Sequence, residues 1–194
     1  MMSYIRNLLE NANCIIPNTD KSGALWLGNY KSAIDPVFLK DNNINVIINC
    51  SIDLPYIYDI LDLKEHGLSK LQTFRIPVYD SLLEHDIVIM EQYLSTVLPF
   101  IVTQLFTKHN NVLVHCYAGK QRSGCCVAAT LFLLVDNNLM KLKSKNIEIT
   151  NITDKSKLMK KIIKYMLEKR PCVFTYGYRI NFKKSLERFF NIKL

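Results

Sequence analysis

The stretch His115-Cys116-Tyr117-Ala118-Gly119-Lys120-Gln121-Arg122-Ser123-Gly124 brings a thiol, a guanidinium and a hydroxyl close together in the chain. A cysteine attacks as its thiolate, a form favoured by a helix N-terminus or a neighbouring guanidinium. Arg122 follows Cys116 after five intervening residues, so a loop curling into a half-circle aims its donors back over the sulfur. A phosphate fits there. The planar guanidinium takes two of its oxygens, and the amides of Tyr117, Ala118, Gly119, Lys120, Gln121 and Arg122 face the remaining charge. Lysine at position 122 would lack that fork. Ser123 stands where a hydroxyl can donate to the sulfur and ease its departure from phosphorus, while His115 would lie behind the sulfur and orient the loop. Protonating a leaving group calls for a carboxylic acid from another segment, because the loop holds none. Asp80, closing Phe74-Arg75-Ile76-Pro77-Val78-Tyr79-Asp80, is the candidate, with Asp86 as the fallback.

The elements around the loop are those needed to present it. Val112-Leu113-Val114 reads as a short apolar strand, and an apolar helical stretch follows the loop to about Val135. Strand, tight loop and helix N-terminus in that order make an anion site in α/β proteins. Ala24-Leu25-Trp26-Leu27-Gly28 reads as a strand closed by a turn glycine, and residues 45–50 and 73–78 as further strands, the last ended near Pro77. The 73–78 strand is expected beside the Val112 strand, so that both loops open on one edge. Ile87, Met90, Leu94, Leu98, Ile101 and Leu105 recur at helical spacing, with a kink expected at Pro99. Helices are also predicted over 154–169 and 179–190, some helical character over 4–9, and an irregular loop over 142–153. The reading is one domain over 24–190 preceded by an N-terminal segment, 1–23.

Composition bounds the class. The 194 residues are 49% hydrophobic and 22% charged, values of an ordinary folded protein. Six cysteines lack the paired spacing of zinc sites and no histidines stand at metal-ligand spacing, so no metal is predicted; reduced thiols in an intracellular compartment are expected. The apolar run over 96–106 is too short to span a bilayer. The net charge of +8 is uneven: 10 basic and 13 acidic side chains lie in 1–138, against 15 and 4 in 139–194. That basic region suits an acidic partner or nucleic acid, or is simply a solvated helix surface. A homodimer through the N-terminal segment is compatible with the sequence.

His-Cys-x-x-Gly-x-x-Arg-Ser after a Val-Leu-Val strand resembles the signature of the protein tyrosine phosphatases. Leu25-Trp26-Leu27-Gly28 with Ala33 resembles the opening of the dual-specificity branch, Ile76-Pro77-Val78-x-Asp80 its general-acid loop, and Arg170-Pro171 with Phe182 and Leu186 its C-terminal helices. The small size and AT-rich style are similar to the versions carried by large DNA viruses. The resemblance implies an α/β fold with a central, mainly parallel sheet flanked by helices. It implies cofactor-free, metal-independent hydrolysis of phosphorylated protein substrates through a phosphocysteine, with Asp80 acting first as acid and then as base. A shallow pocket admitting phosphoserine, phosphothreonine and phosphotyrosine is implied too. Two departures stand out. Lys120-Gln121 replaces the usual Ser or Asn before the arginine, and 142–153 looks like an insertion. The lysine leaves phosphoinositides or RNA 5′ phosphates as alternative substrates, and a catalytically inert phosphate-binding scaffold remains the alternative of another class. Cys125 and Cys126 read as helix packing rather than as redox partners of Cys116.

Overall fold

A computed structural model describes residues 10–144, 148–175 and 181–194. In chain order the elements are β1 (Ala12–Ile16), β2 (Leu25–Gly28), α1 (Tyr30–Ala33), α2 (Pro36–Asp41), β3 (Ile44–Asn49), β4 (Gln72–Arg75), α3 (Glu84–Val102), β5 (Asn111–His115), α4 (Arg122–Asp136), β6 (Leu142–Lys143), β7 (Glu148–Ile149), α5 (Lys155–Lys169) and α6 (Lys183–Phe190). The main sheet runs β1-β2-β5-β3-β4, with β1 antiparallel to β2 and the other pairs parallel. This is the mixed, mainly parallel sheet flanked by helices that the sequence implies.

The central strand explains the layering. Successive side chains of a strand point to opposite faces. Val112 and Val114 of β5 therefore join the larger core, with Val46, Ile48, Leu25 and Leu27 and the apolar faces of α3, α4, α5 and α6. Leu113 points the other way, into a smaller cluster with Ile47, Leu39, Ile57 and Leu68, against which Trp26 and Phe38 pack. Strands buried on both faces read as continuous apolar runs, which is why 45–50 and 112–114 are legible in sequence. Local chemistry sets the helix starts. Asp35 accepts hydrogen bonds from the Val37 and Phe38 amides ahead of α2, which has Pro36 in its first turn, and Asp154 accepts from the Lys157 amide ahead of α5. By contrast α4 has no side-chain cap, leaving its first amides for the loop before it.

Several expectations change. The strand expected over 73–78 is the ladder Gln72–Arg75, and it lies beside β3, one strand away from β5. The Ile76 amide still donates to the Asn49 carbonyl at 2.9 Å, but Pro77 has no amide and that of Val78 turns back onto the Ile76 carbonyl at 2.9 Å. Because β3, β4 and β5 are parallel, their C-terminal loops nevertheless share one edge. The helix around Pro99 continues into a five-residue π segment, Thr103–Thr107. Together they form a 24-residue helix, Glu84–Thr107, long and apolar enough to cross a membrane, longer than the run over 96–106 suggested. Ile87, Met90, Leu94, Leu98 and Ile101 are buried against the core, as in a core helix. Residues 142–153 contain the small β6/β7 hairpin. The last helix begins at Lys183, and the helical segment expected over 4–9 lies outside the described residues.

β1 is the element that sequence did not reveal. Ala12-Asn13-Cys14-Ile15-Ile16 shows no alternation, and pairing with β2 fixes it in place. A second anchor comes from α5, where the Tyr165 hydroxyl donates to the Ile15 carbonyl at 2.8 Å. Burial pushes the Tyr165 pKa up to about 12, so the donor is retained over the ordinary pH range. Tyr165→Phe is expected to lower stability by about 1 kcal/mol in urea denaturation. An unchanged midpoint would show that the hydroxyl contributes nothing to holding β1.

Candidate active site

Gly28, Asn49 and His115 are in register at the ends of β2, β3 and β5. The loops following these parallel strands, and the one following β4, converge on one edge, where α/β sheets bind ligands. Residues 116–121 bridge β5 to the uncapped start of α4. Cys116 is buried at their centre, and its Sγ accepts from the Gly119 amide at 3.3 Å and from the Ser123 hydroxyl at 3.2 Å. Gly119 has φ of +68°, and a Cβ there would stand 2.4 Å from the Gly28 carbonyl oxygen, so backbone conformation and space both demand glycine.

Arg122 occupies the first turn of α4 and is 3% exposed. Its Nη1 donates to the Ser51 hydroxyl at 2.9 Å and to the Val78 carbonyl at 3.2 Å, and its Nη2 lies 3.4 Å from the Asp80 carboxylate. Its buried Nε has no acceptor among the described residues. A buried guanidinium N–H without a partner is costly, and a phosphate oxygen over Cys116 would satisfy it. Asp80, partly exposed, thus meets the loop by way of Arg122. Asp86, the fallback, does not reach the site. It is fully buried in the first turn of α3, bonded to the Ser81 hydroxyl and 3.3 Å from the His85 ring. The Ser81 hydroxyl also accepts from the Leu83 amide at 3.1 Å. Asp86 therefore braces the turn that follows Asp80.

His115 is 1% exposed. Burial pushes its pKa down to about 3, opposed by the Cys116 backbone and assisted by the charges of Arg75 and Arg122. The ring is accordingly neutral near pH 7, stacked at 6.4 Å on Tyr30. Tyr117 is exposed, Lys120 half-buried and Gln121 fully buried. Cys125 and Cys126 are wholly buried on α4, as packing requires, and burial holds the Cys125 thiol well above its ordinary pKa.

Two contributors escaped the sequence reading. Ser51 accepts from Arg122 Nη1 and donates its hydroxyl to the Asp53 carboxylate, whose pKa falls mainly through that bond. Arg75 clamps the same turn, donating to the carbonyls of Ser51, Ile52 and Leu54 at 2.6, 3.1 and 2.9 Å, with its guanidinium 4.4 Å from the Tyr56 ring centre. The available signal was position: 51–54 follows a parallel strand adjacent to the one bearing Cys116. Beside the loop opens a cavity of about 470 Å³, its lining including Glu10, Tyr30, Lys31, Tyr117, Lys120 and Arg170.

A parallel-stranded α/β sheet that ends in a cysteine, an inward-facing amide and a buried arginine defines a phosphate-handling enzyme of the cysteine type. The chain belongs to the dual specificity phosphatase catalytic-domain family, whose model matches residues 25–189. It is a protein phosphatase of the tyrosine/dual-specificity kind. The fold is similar to the Yvh1 phosphatase domain of Chaetomium thermophilum, with a TM-score of 0.65 at 20% identity over 93% of this chain and 95% of that one. Human DUSP28 gives a TM-score of 0.59 at 16% identity over 93% of each chain. OH1 from the Orf virus, a tyrosine phosphatase, gives 0.56 at 15% identity over 97% and 96%. At such identities these likenesses carry the fold alone. No curated protein sequence matches the chain significantly.

The buried His115 makes stability depend on acid. Its folded pKa of about 3 lies below the ordinary 6.5, so between those values the unfolded chain binds a proton that the folded chain refuses. Stability is complete above about pH 6.5 and is lost as pH falls toward 3, with a slope from this residue approaching about 1.4 kcal/mol per pH unit. Urea denaturation across that range should show the slope, and His115→Asn should reduce it by one proton. The same slope in both proteins would contradict a neutral buried imidazole.

Proposed function

We propose that the protein hydrolyses phosphate monoesters on tyrosine and on serine or threonine of protein substrates, through a phosphocysteine at Cys116. The observation that carries the reading is the loop itself: a buried sulfur facing an amide and a hydroxyl, followed at the start of α4 by a buried arginine whose Nε has no acceptor among the described residues. The Cys116 thiolate attacks phosphorus, an S–P bond forms, and the ester P–O bond breaks. The Asp80 carboxylic acid gives its proton to the departing oxygen. Asp80, now a carboxylate, then takes a proton from water as that water attacks phosphorus. Inorganic phosphate leaves and the thiolate is restored, helped by the Ser123 hydroxyl donating to the sulfur. Arg122 and the loop amides bear the charge that spreads over the equatorial oxygens.

Lysines give a second substrate reading its support. Lys31 and Lys120 line the cavity beside the loop with Arg170, a setting that suits additional phosphates such as those of phosphoinositides or RNA 5′ ends. Exposed Lys157, Lys160 and Lys164 on α5 support contact with an acidic partner or nucleic acid. Free thiols throughout favour a reducing, intracellular setting.

The test is phosphate release from a small aryl phosphate in the presence of chelator, comparing wild type, Cys116→Ser and Asp80→Asn, followed by phosphopeptides, phosphoinositides and triphosphate-ended RNA. Wild type should be active, Cys116→Ser inactive, and Asp80→Asn slower by about 100-fold, the usual worth of a general acid. A wild type as inert as Cys116→Ser on every substrate would leave the phosphate-binding scaffold as the better reading.

A further inference from the structure

An anion cradle built from amides has a geometric requirement of its own. In a trans peptide the carbonyl of one residue and the amide N–H of the next point in opposite directions. For amides to face a phosphate, the preceding carbonyls must face away from it, and when buried they need donors there.

Those donors are present. The Tyr117 carbonyl accepts from the Tyr30 amide at 3.1 Å and the Lys120 carbonyl from the Phe174 amide at 3.3 Å. Between them, the Gly119 carbonyl accepts from Arg170 Nε at 2.8 Å and the Ala118 carbonyl from Arg170 Nη2 at 3.4 Å. The amides of residues 118–121 are thereby turned inward, and for Gly119 the consequence is direct: its N–H meets the Cys116 sulfur at 3.3 Å. Arg170 is 2% exposed and is itself held. It caps α5, its amide reaching the Met166 carbonyl at 2.7 Å, and its Nη1 donates to the Asn13 side-chain oxygen at 2.6 Å and to the Glu10 carbonyl at 3.3 Å. Asn13 is in turn buried and donates to the Glu10 carboxylate at 2.8 Å.

We infer that Arg170 is a positioning residue of the phosphatase site: it sets two peptide planes of the phosphate cradle from behind, and Asn13 on β1 fixes its guanidinium. The inference rests on the phosphatase reading above. A guanidinium is required, since one planar group donates here to four acceptors in a fixed fan, whereas an ammonium has three donors on a flexible stem. A positive charge directly behind the loop also adds to the attraction for an oxyanion. It follows that β1, outside the 25–189 match, belongs to the working site.

Two quantities separate positioning from mere structure: kcat on an aryl phosphate, which has few contacts beyond the cradle, and the affinity for tungstate, a tetrahedral oxyanion, measured by calorimetry. Arg170→Lys should lower kcat by about 10- to 100-fold, the scale of a small misplacement of reacting groups, and weaken tungstate binding in parallel. Asn13→Ala covers the case in which Arg170→Lys fails to fold. It should move both quantities in the same direction. Folded Arg170→Lys and Asn13→Ala proteins with wild-type kcat and tungstate affinity would overturn the inference while leaving the phosphatase reading intact. A wild type that neither turns over aryl phosphate nor binds tungstate would overturn both.

Discussion

A backbone amide can be aimed at an anion only if its peptide plane is held, and holding it means satisfying a carbonyl on the far side. Residues 116–121 form a short loop, and the donors come from four places: the Tyr30 amide after β2, the Phe174 amide after α5, the Cys50 amide after β3, which takes the His115 carbonyl at 2.8 Å, and the Arg170 side chain. Each donor is delivered by a segment next to the β5–α4 unit, so the sheet order and the helix packing converge on this single need. Gly119 is the same constraint seen from inside, since only a residue without Cβ fits its φ and its approach to Gly28.

Charge is arranged in the same spirit. Three arginines gather at one edge of the sheet with separate tasks. Arg122 ties the start of α4 to Ser51 and Val78, Arg75 fixes the turn holding Ser51, and Arg170 braces the loop from behind. Most of their donors go to carbonyl and amide oxygens, which position a guanidinium without neutralising it. Asp80, its carboxylate 3.4 Å from Arg122, is partly exposed and mounted on a turn that Asp86 and Ser81 secure. The site thus keeps a positive field in a buried place, the condition under which hydrogen-bond donors act most strongly on developing negative charge.

The sequence was most readable where one local pattern does one job. Cys116, Gly119, Arg122 and Ser123 are close in the chain and their spacing alone describes a half-circle. Strands buried on both faces announced themselves as apolar runs, and the spacing from Ile87 to Leu105 marked the core helix. Asp80 is legible as a candidate because it ends an extended segment, although that segment leaves the ladder at Arg75 and pairs with β3 instead of β5. What stayed hidden depends on distant partners. β1 has no periodicity and exists by pairing, Ser51 and Arg75 look like ordinary residues until the turn closes on Arg122, and the choice between Asp80 and Asp86 needed burial to decide it. Arg170 carried a family resemblance but no visible task, because its acceptors lie 51 and 157 residues away.

The central claim is that phosphate passes through Cys116. Acid quenching of the working enzyme during turnover of an aryl phosphate, followed by peptide mass spectrometry, examines it directly, most favourably in Asp80→Asn, where loss of the base should slow hydrolysis of the intermediate. The account predicts a phosphoryl group on the peptide containing Cys116, acid-stable and absent from Cys116→Ser. Turnover that persists in Cys116→Ser, or a phosphoryl group found on another residue, would contradict it.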